Sequence, residues 1–323
     1  MYKKIILIVF TILLSLFFYL KCQKSPTNHF EPSEIVDVSH FSIQNYPKVD
    51  GSTSTHPLQI VIACKILGAQ YRWEDYGDGT RRARATGSDK TITNYINGIT
   101  HHGTHSSYVN LLTDSAEIII VAREPSEDEI NLSDSLGLTL ITKGIALDAF
   151  VFILNIENPV NNLTLKQIQN IYSGNILNWR EVGGADAAIN PYQRNQNSGS
   201  QELMETLVME GLHMIDAPAM ILHSMMGPIN RLVEDPYGLG YTVYFFNQYM
   251  AARDKIKLCW INGIEPNYES LSNGDYVFTT KVVIAIRSDL DKNSTAFTLW
   301  KWLQTKAGRE AIADSKYIPI NLN

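Results

Sequence analysis

The residues best equipped for chemistry in this chain lie in one short stretch, "RNQNSGSQELM", residues 194–204. Arg194 is a fixed cation placed four residues ahead of Ser198-Gly199-Ser200, and a helix-like run follows at once. A guanidinium is a planar fork of donors that fits an oxyanion. Two hydroxyls add directed donors, and a glycine lets the backbone approach closely. A helix start adds unpaired N–H groups and partial positive charge. Serines at such a place can simply cap a helix. With an arginine beside them, the same atoms suit the capture of a small anion.

Two other stretches have a similar design. In "VDGSTSTHPLQ", residues 49–59, small and hydroxyl residues lead to Pro57, a residue suited to a first helical turn. The N–H groups of Thr55 and His56 face outward from that helix mouth. In "HHGTHSSYVNLL", residues 101–112, Gly103 and Thr104 precede a helix. Three such mouths in one chain can surround a tetrahedral oxyanion from several directions. A serine nucleophile at Ser198 or Ser200 is the enzymatic alternative, but the chain has no G-x-S-x-G elbow. The reading is therefore a binding protein, not an enzyme, with no cofactor. His101, His102 and His105 offer a metal-binding alternative. Gly103 interrupts the turn that would align them, so no metal site is assigned.

These mouths need a scaffold. "AEIIIVA" (116–122), "AFVFILN" (149–155), "LGYTVYFF" (239–246) and "KVVIAIR" (281–287) read as buried strands. Helical patterns occupy 57–68, 107–112, 164–174, 200–211 and 296–312. The alternation predicts an α/β fold with mainly parallel sheets, whose ligands sit where strand carboxyl ends meet helix N-termini.

The chain has 323 residues, 45% of them hydrophobic and 19% charged, enough for a sizeable core and two domains. Its formal net charge of −6 argues against a nucleic-acid partner. Lys3 and Lys4 precede an apolar run over residues 5–20, too short to span a bilayer comfortably, and Cys22 follows. Residues 1–22 read as an export signal of the lipoprotein type, lipidated at Cys22, although Lys21 stands where a small residue is usual. Residues 23–46, with Pro26 and Pro32, read as a polar tether to a membrane-anchored body facing the periplasm or cell exterior. Cys64 and Cys259 read as buried thiols rather than a disulfide. Trp179, Trp260, Trp300 and Trp302 read as core.

"DGSTSTHPL", "GTHSSYVNLLTDSAEIIIVAREP", "ALDAFVFILNIENPVNNLTLKQIQNIYSGNILNWREVGG" and "RNQNSGSQELM" together resemble the phosphate-type solute-binding proteins of bacterial ABC importers. "GLGYTVYFFNQY" and "INGIEPNYESLSNGDYVFTTKVVIAIR" extend the similarity, which runs from about Val49 to Ile320. The resemblance implies an α/β, two-domain periplasmic binding protein type II fold with two interdomain crossovers. One domain would combine residues 47–146 with 277–323, and the other would span 147–276. It implies ligand contacts at Thr55, His56 (through its backbone), Thr104, Arg194, Ser198, Gly199 and Ser200, with Arg123 as a further candidate. Phosphate-specific relatives can carry a carboxylate that accepts a hydrogen bond from the protonated ligand, a device against fully ionised sulfate. Ala122 stands at that place, and Glu124 is the nearest substitute. The implied ligand is inorganic phosphate or a similar oxyanion, and the implied partners are ABC permease subunits and, through the lipid anchor, the membrane. A sensor or scavenger with the same fold is the alternative.

Overall fold

The chain is described here by a computed structural model covering residues 35–251 and 253–320. The export signal, Cys22 and the first part of the tether lie outside the described residues. Residues from Val36 on belong to the folded body, where Phe41 and Tyr46 are already buried in the core. The polar stretch expected to run loose to residue 46 thus joins the body earlier, because two aromatic rings give it something to bury.

The first lobe begins with β1 (Val49–Gly51) and α1 (His56–Leu67). Pro57 opens α1, and Gly68 ends it in the left-handed conformation. Leu58, Ile60, Val61, Ile62, Ala63 and Cys64 are all buried, so α1 is covered over most of its surface and packs as a central helix. A hairpin follows, β2 (Gln70–Asp75) and β3 (Arg81–Thr86), turning at "YGDGT". Next come α2 (Lys90–Asn97), capped by the Asp89 carboxylate, and α3 (Thr104–Leu112). The lobe continues through β4 (Ile118–Val121), α4 (Glu127–Ser135) and the start of β5 (Leu140–Asn155).

The second lobe is built from the end of β5, α5 (Leu165–Tyr172), β6 (Asn190–Pro191), β7 (Gln193–Arg194), α6 (Gly199–Leu203), β8 (Ile221–Leu222), α7 (Met226–Glu234), β9 (Gly238–Val243) and β10 (Ile256–Leu258). The chain then returns through β11 (Thr279–Arg287), α8 (Thr295–Trp302), α9 (Lys306–Asp314) and β12 (Ile318–Pro319). The single helix expected over 296–312 is two helices, because the Thr305 hydroxyl accepts from Gly308 N–H and caps a new start.

The main sheet runs β1-β4-β11-β5-β9-β6, with β10 and β12 also paired to β5. β1 and β4 are parallel, as are β9 and β6. β5, however, is antiparallel to β11 over Leu140–Ala149 and to β9 over Phe150–Ile153. The sheet is therefore mixed rather than mainly parallel. The reason is topological: β5 carries the chain from one lobe into the other and β11 brings it back, so the two must run in opposite directions. These crossovers make the fold the two-domain α/β type expected, that of a type II periplasmic binding protein. Trp179 is fully buried and Trp302 nearly so, whereas Trp260 is 42% exposed and is not core. Cys64 and Cys259 are buried free thiols. Among the described residues no helix is long and apolar enough to cross a membrane.

Asp148 lies on β5 at the crossing. Its Oδ1 accepts from Ala149 N–H (2.8 Å) and from Phe245 N–H of the second lobe (2.9 Å). Its Oδ2 and the hydroxyl of Thr280, directly opposite on β11, have no partner among the described residues. Burial raises the carboxyl from 3.8 to about 7, against the pull of the two N–H donors. Between those values the unfolded chain ionises while the folded one keeps its proton. Stability therefore falls as pH rises through that window and levels off above it. Denaturant unfolding from pH 4 to 8 is expected to show this decline, and Asp148→Asn to flatten it.

Candidate functional site

A cavity of about 730 Å³ opens between the lobes, lined by residues of both. From the first lobe come the loop after β1, His56 at the start of α1, the residues before and within the first turn of α3, and Thr80–Arg82 of the hairpin. From the second come Arg194 through Ser200, the segment from His223 to Met226, and apolar side chains around Phe246. The lining contains three arginines and five histidines, and no aspartate or glutamate. In a chain with more acidic than basic residues, that is a local reversal of charge.

Arg194 is 6% exposed at the end of β7. Its backbone N–H is shared by the Tyr241 hydroxyl (2.9 Å) and Gln201 Oε1 (3.2 Å), and Tyr241 in turn donates to Gln201. Its Nε donates to the Leu222 carbonyl (2.9 Å) and one terminal nitrogen to the Ser200 hydroxyl (3.1 Å). No carboxylate pairs with it among the described residues. Burial accordingly pulls the guanidinium down to about 10. Ser198 caps α6 by accepting from Gln201 N–H, which leaves its proton free to donate outward. Ser200 accepts from Arg194 and lies 3.4 Å from the Ser198 hydroxyl, so one of the two can donate to the other and at least one proton remains for a ligand. Neither hydroxyl has an imidazole or carboxylate partner among the described residues, and neither is set up as a nucleophile.

Gly199 meets Thr104 of the facing lobe. A Cβ at Gly199 would stand 2.5 Å from Thr104 Oγ1, so only glycine allows this approach. Thr104 Oγ1 and Ser52 Oγ are 2.6 Å apart, and Ser52 also accepts from Ala122 N–H at 3.0 Å. Gly103, ahead of α3, has φ +83°, a conformation that side chains rarely adopt. The loop before it is tied down by Asp50, whose carboxylate accepts from His102 N–H and Nδ1 and from Asn110.

Arg194, Ser198, Gly199, Ser200 and Thr104 line the cavity; His56 does too, but its backbone N–H, the contact expected, is turned to the Thr53 carbonyl at 3.4 Å. Thr55 does not: it is fully buried, and its hydroxyl donates to the carbonyls of Ile120 (2.5 Å) and Ser52 (3.0 Å). Its role is to hold the loop after β1 against β4, and Ser52 and Ser54 present the hydroxyls there instead. Arg123 is also withdrawn. Its terminal nitrogens bind both oxygens of buried Glu129 at 2.8 and 2.9 Å, and it lies over the Tyr108 ring. Glu124 is exposed and does not line the cavity, so it does not replace the carboxylate missing at Ala122. The three histidines separate. His102 pairs with Asp50, His105 with Glu129, and His101 lies tilted beside His56 with ring centroids 5.0 Å apart. Among the described residues no group of His, Cys, Asp and Glu could hold a metal ion. Burial, and then the neighbouring His56, push His101 down to about 4.

The hairpin residues Arg81 and Arg82 went unnoticed in the sequence. The signal was there: Asp-Gly between segments with alternating Tyr71, Trp73 and Ala83, Ala85 is a hairpin pattern.

The two buried arginines make a testable contrast. Glu129→Gln leaves Arg123 without its counter-charge and is expected to cost about 3 kcal/mol in denaturant unfolding. Arg194→Met removes a cation that has no counter-charge, and is expected to leave the unfolding midpoint unchanged or raise it.

Comparison with known proteins agrees with this fold. A phosphate-binding protein PstS from Borreliella burgdorferi is 23% identical over 182 residues, covering 54% of this chain and 64% of that protein. The chain thus spans somewhat less than two thirds of that relative. A Staphylococcus epidermidis protein of the same name is 24% identical over 225 residues, 67% of each chain. A crystal structure of a candidate phosphate ABC transporter substrate-binding protein from Clostridium perfringens, with bound phosphate, superposes with a TM-score of 0.64. It is 20% identical, over 86% of this chain and all of that one, and shares the fold. The family description "PBP superfamily domain" matches residues 75–306, and the chain belongs to that superfamily.

Proposed function

We propose that this protein captures inorganic phosphate, or a similar small oxyanion, between its lobes and delivers it to an ABC permease without chemical change. The observation that carries this reading is Arg194, a buried guanidinium with no ion pair among the described residues, facing a cleft lined by no carboxylate. Such a group is unfavourable in the empty protein and is relieved by an anion. The Ser198 and Ser200 hydroxyls face the anion from one lobe; from the other come Ser54 and, of the bonded pair Ser52 and Thr104, the one proton not used between them. Similarity to proteins named for phosphate binding supports the same ligand class.

In this reading residues 147–276 move as one body against 47–146 and 277–323, and the anion bridges them, so that binding and closure are coupled. The N-terminal segment exports the chain and Cys22 anchors it, placing the cleft outside the cytoplasmic membrane. Thr55 and Arg123 are structural rather than ligand contacts.

Calorimetry of the protein against inorganic phosphate tests the reading. Arg194→Ala is expected to weaken binding by at least roughly a hundredfold, the loss of more than one charge-assisted hydrogen bond. Unchanged affinity in a folded Arg194→Ala protein overturns the assignment. Gly199→Ala, which sets a methyl against Thr104, is expected to lower affinity by roughly tenfold by holding the lobes apart.

A further inference from the structure

With the lobes as they stand, the cavity leaves room beside a bound oxyanion, and its lining is more varied than an oxyanion needs. At about 730 Å³ it falls among sites for organic ligands. A water occupies roughly 30 Å³ of liquid, so a five-atom oxyanion fills only a small part of it. The donors Arg194, Ser198, Ser200 and Thr104 form one group, connected by contacts at Arg194–Ser200 and Gly199–Thr104. Arg81 and Arg82 of the hairpin also line the cavity, with the Arg82 guanidinium over the Tyr76 ring. Arg72 and Arg84 of the same hairpin both pair with Glu74, whereas Arg81 and Arg82 have no ion pair among the described residues. Arg82, with His56 and His101, also lines an adjoining cavity of about 270 Å³. Apolar surface completes the wall through Met225, Met226, Phe246 and Met250.

We infer that the cavity accepts a small organic phosphate monoester with a second anionic group, such as a carboxylate, at its far end. The inference rests on the reading of Arg194 as the oxyanion anchor. The phosphoryl group sits at Arg194, Ser198, Ser200 and Thr104, as proposed for the free anion. The carbon skeleton lies against the methionines and Phe246, where flexible thioethers adapt to different shapes. The distal anion meets Arg81 and Arg82, whose charges no carboxylate of the lining cancels. The hairpin also reaches the second lobe: Arg253 donates to the Asp78 carbonyl at its turn, and Trp73 lies beside Phe245. A ligand held by Arg194 and by the hairpin arginines therefore joins the hairpin to the closure of the lobes.

Calorimetry of the full chain with inorganic phosphate, glycerol 3-phosphate and 3-phosphoglycerate separates the possibilities. The expected result is 3-phosphoglycerate binding roughly tenfold or more tighter than inorganic phosphate. The double variant Arg81→Ala, Arg82→Ala should then lose roughly tenfold for 3-phosphoglycerate and clearly less for glycerol 3-phosphate. An unfolding midpoint equal to that of the parent checks that the variant is folded. Inorganic phosphate binding as tightly as the esters, or more tightly, overturns the inference and leaves the oxyanion reading standing. A preference for 3-phosphoglycerate that survives the double variant overturns the role of Arg81 and Arg82. Binding of none of the three overturns the oxyanion reading and the inference together.

Discussion

A buried positive charge without a counter-charge governs this structure. Arg194 is held by its backbone through Tyr241 and Gln201, and by its side chain through Leu222 and Ser200, all neutral groups. Neutral acceptors satisfy the geometry of a guanidinium but not its charge. The protein keeps it there by surrounding it with packed core: Tyr241 lies among Phe150, Phe152 and Tyr172. Arg123 shows the other outcome. With both oxygens of Glu129 in reach, its charge is neutralised within the lobe and nothing is left for a ligand.

The rest of the architecture brings a second surface to that charge. β5 is the common member, paired with β11 in one lobe and with β9 in the other. One continuous strand thus serves both lobes. Gly199 against Thr104 marks where their facing loops touch. The phenyl ring of Phe245, which follows β9, stacks on Tyr317 at 3.7 Å, so both ends of the crossing region are packed around Asp148. Two lobes on a shared strand suit the closure proposed for this cleft.

Much of the fold was legible in the sequence. The runs "EIIIV" and "KVVIAI" became β4 and β11, and Pro57 and Gly68 bounded α1 as their backbone preferences require. Local chemistry also found the Arg194–Ser200 segment, because its cation, hydroxyls and glycine are consecutive in the chain. The Thr55 and Arg123 roles were not legible. Thr55 and Ser54 are adjacent hydroxyls, and only the pairing of β1 with β4 turns Thr55 inward to the Ile120 carbonyl. Arg123 and Glu129 are six residues apart across a loop, a spacing with no fixed geometry until α4 packs. The direction of β5 was hidden too, because a buried antiparallel strand and a buried parallel one both read as apolar runs.

What the sequence determined by itself was the set of local devices: which segments form helices and strands, where they stop, and which of them offer donors to an anion. These depend on backbone preferences and side-chain type, which act over a few residues. The tertiary structure decided which charges survive. Arg123, Arg194, Arg81 and Arg82 are the same residue type, and nothing in their neighbours along the chain says which one finds a carboxylate. That depends on contacts between segments far apart in sequence, and Coulomb interactions in a low-dielectric interior make the difference large. Packing paired Arg123 with Glu129 and left the cleft lined by arginines without carboxylates, and that selection is the chemical character of the site.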